Sequence, residues 1–436
     1  MFESYETVIF SFIAILMLLA IRVPIGMALI AVSFWGIAIE TSLQAAVGAV
    51  SRLPVELATN WSFSAVPMFL LMGFIASEAG LTSGLFRASR VLFRKVPGNL
   101  ACASVVASAL FAAASGSSVA TASAMSRIAI PEMLSRGFAP SLATGSIAAS
   151  GTLGSLIPPS ILMILFGVYA DVSIGSLFFA GILPGIISVL IYIGMIIIRC
   201  YLNPDLDGEK QVEIEPIKFK YLLKDILPLP FLIATVMGSI AFGIATPTEA
   251  GALGATGSIL LAMSSGDFNL RILFKSIRYS ALTFSSIFII IIGGALLTKF
   301  VAISGFATEL NSYFSDGSFS VFQLVIFSAA IFILLGMFID SIGLLLLTMP
   351  ILLPIANSIN VDLIWLGVML IKLLEIGLIT PPVGLNIFVI QGSMEEKIKS
   401  SVIFRGVAWF IGMDILTLAI LYLFPSISLW LPSLMN

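Results

Sequence analysis

Residues 150–160 read SGTLGSLIPPS and lie in the middle of a long apolar run, where an uninterrupted helix would be the expected structure. Each of the two adjacent prolines removes a backbone N–H donor, and its ring clashes with the carbonyl group four residues earlier in a helix. The two glycines make the preceding turn easier to distort. The sequence therefore predicts a broken helix over about residues 139–170.

The composition is that of a membrane protein. The chain has 436 residues, of which 59% are hydrophobic and 10% charged, whereas soluble domains carry about 25% charged residues. The net charge of −2 gives no reason to expect a nucleic-acid partner. The sequence contains no histidine, the commonest general base and metal ligand, so no transition-metal cofactor is expected. We expect a polytopic protein embedded in lipid.

A second stretch repeats the interruption. Residues 375–386 read EIGLITPPVGLN and predict a second broken helix over about residues 361–392. Non-helical backbone is tolerated at membrane depth only where it is buried in protein or lines a water-filled cavity. Interrupted spans in corresponding positions of two halves indicate a transport site.

Two further segments have the pattern of re-entrant hairpins. Residues 99–130 carry a Ser-Gly-Ser-Ser tip and have basic residues on both sides, which places both ends in the cytoplasm. Residues 319–356 form the second candidate, with its tip at residues 340–343. For the first segment, two close-packed ordinary helices remain the alternative, because small residues also mark helix–helix interfaces.

The remaining chain is predicted to form membrane spans joined by polar segments. We expect interfacial arms at residues 40–60 and 300–318 and a basic cytoplasmic loop at residues 80–98. A polar arm with Arg271, Lys275 and Arg278 is expected in the cytoplasm, and residues 280–298 are expected to form a span.

The chain also contains an internal repeat. An offset of 223 residues places Pro24 on Pro247 and the Pro-Pro pair of the first break on that of the second. We therefore predict two repeats, residues 1–213 and 214–436, joined at a basic polar segment. Each would contain about five spans, and an odd number of spans inverts the second copy. The predicted fold is an all-α polytopic membrane protein made of two inverted repeats, with both termini outside the cytoplasm.

The breaks and tips provide chemistry for a cation and an anion. Carbonyl and hydroxyl oxygens suit a hard cation such as sodium, and helix N-termini favour an anion. Asp340 is interpreted either as a cation ligand or as a helix cap. Glu249 is predicted to lie in the first turn of a helix, where a carboxylate is stabilising. Lys372 and Glu375 are three residues apart and are expected to pair.

The motifs at residues 115–118, 154–160, 246–250 and 377–384, in this order, resemble those of the large membrane subunit of tripartite ATP-independent periplasmic (TRAP) transporters. The resemblance implies sodium-driven import of an organic acid, of the C4-dicarboxylate or sialic acid class, across a bacterial inner membrane. It implies an elevator mechanism with both termini in the periplasm. It also implies two partners, a periplasmic substrate-binding protein and a separate small four-helix membrane subunit.

The same resemblance assigns site residues, with sodium as the coupling ion and no other cofactor. The sodium ligands fall on Ser115, Gly116, Ser117 and Gly154 in the first half and on Gly377, Thr380 and Val383 in the second. The substrate contacts are predicted among the other polar and proline residues of the tips and breaks: Ser118, Ser150, Thr152, Pro158, Asp340, Ser341, Pro381 and Asn386.

The sequence leaves one other function open and disfavours two more. A stand-alone sodium/anion symporter of similar inverted-repeat fold would need no partner proteins and remains the alternative. A membrane-embedded enzyme would need a convergent acid–base pair or metal cluster, and the sequence offers neither histidine nor a Gly-x-Ser-x-Gly nucleophile turn. A channel does not need two gated half-sites.

Overall fold

The computed structural model describes residues 4–208, 226–265, 268–306, 308–309, 319–394 and 398–435. Within these ranges the regular secondary structure is helical, without strands. The predicted boundary between the two repeats, at residues 213 and 214, lies outside the described residues, as does most of the predicted arm at residues 300–318.

Helices α1 to α10 form the first part of the chain. Their bounds are α1 Ser4–Ala20, α2 Ile25–Glu40, α3 Leu43–Thr59, α4 Ala65–Glu78, α5 Leu81–Phe93, α6 Asn99–Ser115, α7 Ser118–Ser135, α8 Pro140–Thr152, α9 Ile161–Ala170 and α10 Ile174–Leu202.

Helices α11 to α19 form the second part. Their bounds are α11 Pro228–Ala241, α12 Pro247–Ser265, α13 Leu270–Ile303, α14 Val321–Gly336, α15 Ser341–Ser358, α16 Leu363–Ile379, α17 Leu385–Ser393, α18 Ser400–Leu423 and α19 Ser426–Ser433.

The two helix interruptions predicted from the sequence are present. Helix α8 ends at Thr152, a 3-10 turn follows over Leu153–Ser155, and α9 begins at Ile161. Helix α16 ends at Ile379, and α17 begins after Gly384, whose φ of 62° lies in the left-handed region. The peptide bond between the two prolines is cis in both interruptions.

The first candidate hairpin turns within two residues. Helix α6 ends at Ser115, and Gly116 has a φ of 59°, in the left-handed region that glycine adopts at helix ends. Ser117 then caps α7, since its hydroxyl accepts a hydrogen bond from the N–H of Ala120. Helices α6 and α7 pack against each other, so the chain reverses direction at this tip.

The second candidate hairpin turns slightly earlier than predicted. Helix α14 ends at Gly336 and α15 begins at Ser341. The turn therefore occupies residues 337–340, and the predicted tip at 340–343 consists of the cap residue Asp340 and the start of α15. The reason is the cap: Asp340 Oδ2 accepts hydrogen bonds from the N–H groups of Ile342 and Gly343, at 3.0 Å each.

One predicted loop is helical, and one predicted arm is continuous with the span that follows it. The predicted loop at residues 80–98 contains α5, which places Arg87 and Arg90 at helical spacing. The predicted arm at residues 271–278 and the span after it form one helix, α13, of 34 residues. No proline interrupts α13, so nothing in the backbone ends the helix between the polar and the apolar part.

The helices surround two apolar cores. One core contains residues of α6, α7, α8, α17, α18 and the end of α10. The other joins α2, α4, α9 and the helices α13 to α16. By length and composition, five of the described helical segments could cross a membrane. In both halves, the helix pair of the hairpin packs against the first segment of the broken helix.

Candidate functional site

A cavity of about 250 Å³ lies where the two hairpin tips meet. The first half contributes Gly116, Ser117 and Ser118 to its lining, and the second half contributes Asp340 and Ser341. The remaining wall residues include Ser155 from the first break, Leu378 and Leu385 from either side of the second, and Thr283 and Ser286 from α13. Two tips separated by more than 200 residues of sequence thus face one small space.

The first tip is docked onto the first break. The hydroxyl groups of Ser118 and Ser155 lie 2.5 Å apart, and Ser118 Oγ also donates to the carbonyl oxygen of Thr152 at 3.3 Å. A Cβ atom on Gly154 would lie 3.1 Å from the backbone carbon of Ser117. Glycine at this position therefore allows the break to approach the tip backbone closely.

The predicted first sodium site is brought together in this way. Ser115, Gly116 and Ser117 form the tip, and Gly154 packs against Ser117. Ser115 Oγ lies 2.8 Å from Thr121 Oγ1, which donates to the carbonyl oxygen of Ser117 at 2.9 Å. The tip thus concentrates hydroxyl and carbonyl oxygens of the kind that coordinate hard cations.

The residues of the predicted second sodium site lie at and just after the C-terminal end of α16. A Cβ atom on Gly377 would lie 2.6 Å from the carbonyl oxygen of Phe332, so this glycine allows close packing of α16 on α14. Thr380 Oγ1 donates to the carbonyl oxygen of Ile376 at 2.6 Å, which leaves its lone pairs available as acceptors. Val383 is half-buried between the prolines and Gly384.

Asp340 acts as the cap of α15, which confirms one of its two interpretations. Its carboxylate also lines the cavity between the tips. The negative charge of Asp340 compensates the positive end of the helix dipole at this N-terminus. The second tip is therefore less favourable for an anion than the first tip, where the neutral Ser117 caps α7.

Five predicted substrate contacts lie outside the lining of this cavity, and four of them are buried. Ser150, Thr152 and Pro158 are buried in or beside the first break, where Thr152 Oγ1 donates to its own helix, to the carbonyl oxygen of Ala149 at 2.7 Å. Asn386 is buried and its Nδ2 donates to the carbonyl oxygen of Ala148 at 3.4 Å, which ties α17 to α8.

Two other predicted substrate contacts differ from each other in their surroundings. Pro381 is exposed on the surface of the second break, whereas Ser341 lines the cavity in the first turn of α15. Of the residues assigned to the substrate, the structure therefore gathers Ser118, Asp340 and Ser341 around one space.

Three charged residues singled out in the sequence have structural roles. Glu249 Oε2 accepts hydrogen bonds from the N–H and the hydroxyl of Thr246, both at 2.8 Å, in the first turn of α12. Lys372 and Glu375 pair as predicted, with 2.9 Å between Nζ and Oε2. Both interpretations made from the sequence are confirmed.

A third charged residue, not predicted from the sequence, joins that pair. Asp414 lies in the middle of α18, and its Oδ1 is 2.6 Å from Lys372 Nζ. The available signal was its position, because a carboxylate within a membrane span is rare and is usually paired or functional.

The comparisons with known proteins agree with this architecture. The family model described as "Tripartite ATP-independent periplasmic transporter, DctM component" matches residues 12–427. The solved structure of the YdaH transporter of Alcanivorax borkumensis is similar in fold, with a TM-score of 0.57 and 12% sequence identity, and the match covers 86% of this chain and 88% of that one.

Two sequence relatives come from Vibrio cholerae. The C4-dicarboxylate TRAP transporter large permease protein DctM is 31% identical over 87% of both chains. The sialic acid TRAP transporter large permease protein SiaM is 29% identical, over 86% of this chain and 87% of that one. The apolar helices and these matches identify an integral membrane transport protein rather than an enzyme. The chain belongs to the DctM components of the tripartite ATP-independent periplasmic transporters.

Proposed function

We propose that the protein is the large membrane subunit of a sodium-coupled importer that moves an organic acid anion across the bacterial inner membrane. The observation that carries this proposal is the cavity of about 250 Å³ between the two hairpin tips. It combines helix ends, hydroxyl groups and one carboxylate in a space that accommodates small molecules and ions.

Sodium binding is proposed at both breaks. In the first half the ligands would come from Ser115, Gly116, Ser117 and Gly154, and the close approach of Gly154 to Ser117 supports this set. In the second half they would come from Gly377, Thr380 and Val383. Peptide carbonyls freed by a helix break and hydroxyl oxygens are suitable ligands for a hard cation.

The anionic group of the substrate is proposed to bind at the first tip. The N-terminus of α7 offers backbone N–H groups and carries no acidic residue in its first turn. The N-terminus of α15 is occupied by the Asp340 carboxylate. The substrate class is taken from the relatives, one of which is named for C4-dicarboxylates and another for sialic acid.

The proposed mechanism is an elevator with inverted repeats. The hairpins and broken helices would move as one body against a scaffold of the remaining helices, with both termini in the periplasm. A separate small four-helix subunit would extend the scaffold, and a periplasmic substrate-binding protein would deliver the acid. Membership in a family described as tripartite supports partners of this kind.

Reconstitution tests the proposal. The chain and the small subunit of its own system would be placed in proteoliposomes, and uptake of radiolabelled C4-dicarboxylates and sialic acid measured with and without the binding protein. We expect uptake of one acid only with an inward sodium gradient and the loaded binding protein, and no uptake with a matched potassium gradient. Uptake without the binding protein would favour the stand-alone symporter, and uptake without sodium would contradict the coupling.

A further inference from the structure

A cluster of charged side chains lies in the apolar interior, outside the lining of the cavity between the tips. Lys372 and Glu375 project from α16, Asp414 from α18 and Tyr192 from α10. All four residues are fully buried, at 0% exposure. These four residues are called the buried charge cluster.

The shortest hydrogen bonds of the cluster are made to the carboxylate of Asp414. Asp414 Oδ1 accepts hydrogen bonds from Lys372 Nζ at 2.6 Å and from the Tyr192 hydroxyl at 2.5 Å. Glu375 Oε2 accepts from Lys372 Nζ at 2.9 Å. Asp414 therefore has two side-chain donors on one oxygen, whereas Glu375 has one side-chain donor at a longer distance.

The charges do not balance. With every group ionised, one ammonium would face two carboxylates and leave a net charge of −1. Within the described chain, the helices packed against α16 add no other charged side chain to the cluster. An uncompensated charge in an apolar interior is strongly unfavourable, and the usual response is that the group becomes neutral.

Two carboxylate oxygens are candidates for the proton that would neutralise the excess negative charge. Among the described residues, Glu375 Oε1 and Asp414 Oδ2 are buried and have no hydrogen-bond partner. We propose that the buried charge cluster binds one proton, held on Glu375. Asp414, with two donors, is the better ionised acceptor.

A proton accounts for the geometry better than a bound sodium ion. A sodium ion would need several oxygen ligands around it. The Tyr192 hydroxyl is already bonded to Asp414, and the Lys372 ammonium lies between the two carboxylates and would repel a second cation. One proton neutralises the cluster without any further ligand.

The proton site is connected to both breaks. The backbone N–H of Leu156, in the first break, lies beside the Glu375 carboxylate, and the Thr152 side chain lies beside the Tyr192 hydroxyl. Glu375 is also on the helix that ends at the second break. Loss of the proton would place a net charge beside the first break and disturb the packing that holds the two broken helices together.

Infrared spectroscopy of the purified protein tests the proposal directly. A protonated carboxyl group has a C=O stretching band separate from that of carboxylates. We expect one buried protonated carboxyl in the wild-type protein and none in Glu375→Gln, because lysine and Asp414 then balance. Asp414→Asn should also lose the band, since Lys372 and Glu375 then balance. The matched control Glu249→Gln, at an exposed cap, should keep it.

Thermal unfolding identifies the residue that carries the proton. Glutamine imitates protonated glutamate, so Glu375→Gln should unfold within a few degrees of the wild-type protein, whereas Asp414→Asn should unfold at a clearly lower temperature. A band that persists in Glu375→Gln, or unfolding of that variant as early as Asp414→Asn, would overturn the proposal. These readouts do not depend on uptake, so sodium coupling could fail while the proton site stands.

Discussion

The two helix breaks share a motif but have different surroundings. In the first, Pro158 is buried, and the break contacts the hairpin tip through Ser118 and Ser155. In the second, Pro381 and Pro382 are exposed, and α17 starts without a side-chain cap. The prolines of the first break are therefore enclosed by the protein, whereas those of the second break lie on its surface.

This difference indicates separate roles for the two breaks. Peptide groups at membrane depth need partners from protein or water. The first break receives them from α7 and from within itself, where the N–H of Ile157 bonds to the carbonyl oxygen of Leu153 at 2.9 Å. The second break needs contact with water or with a partner surface, so we interpret the first break as the enclosed one and the second as the accessible one.

The largest expected effect concerns the enclosure of the first break by α10. A Cβ atom on Gly181 would lie 2.4 Å from the carbonyl oxygen of Leu156. Gly181→Ala should therefore destabilise the protein by about 1–3 kcal/mol, the usual cost of overpacking, measured as thermal unfolding in detergent.

Gly194 is the matched control on the same helix, because a Cβ atom there would meet nothing within 4 Å. Gly194→Ala should be neutral or slightly stabilising, since alanine favours helix over glycine. Equal unfolding temperatures for the two variants would show that α10 does not enclose the first break.

A paired substitution compares the two breaks directly. Pro158→Ala adds a backbone N–H in a buried place, where an unpaired donor costs about 1–3 kcal/mol, and it should reduce uptake because the altered break contacts the first hairpin tip. Pro381→Ala adds the same group at an exposed position, where surface changes are usually within about 0.5 kcal/mol. Thermal unfolding and uptake of both variants are the measurements, and equal losses would contradict the proposed difference.

The smallest effect on stability is expected at the accessible break. Thr380→Val removes a half-buried hydroxyl while keeping the side-chain shape. The sodium concentration for half-maximal uptake should rise about tenfold, which corresponds to roughly 1.4 kcal/mol, with little change in unfolding temperature. Thr380→Ser retains the hydroxyl and should behave like the wild-type protein. An unchanged sodium response in Thr380→Val would remove this residue from the proposed site.

Local backbone chemistry was predictable from the sequence. Adjacent prolines cannot continue a helix, so both breaks were located within a few residues. The glycine and serine residues at 116 and 117 predicted the first tip, where they form the end of α6 and the cap of α7. The segment at residues 80–98 was predicted as a loop from its basic charge, and charge alone does not prevent a helix.

The long-range arrangement was decided only by the tertiary structure. Equivalent Pro-Pro motifs gave no sign that one would be buried and the other exposed, because burial depends on which helices pack around each break. Asp414 and Tyr192 join Lys372 from 42 and 180 residues away in the sequence. A single sequence records the residue types that break a helix or carry a charge, whereas the pairing of those charges depends on packing between helices distant along the chain.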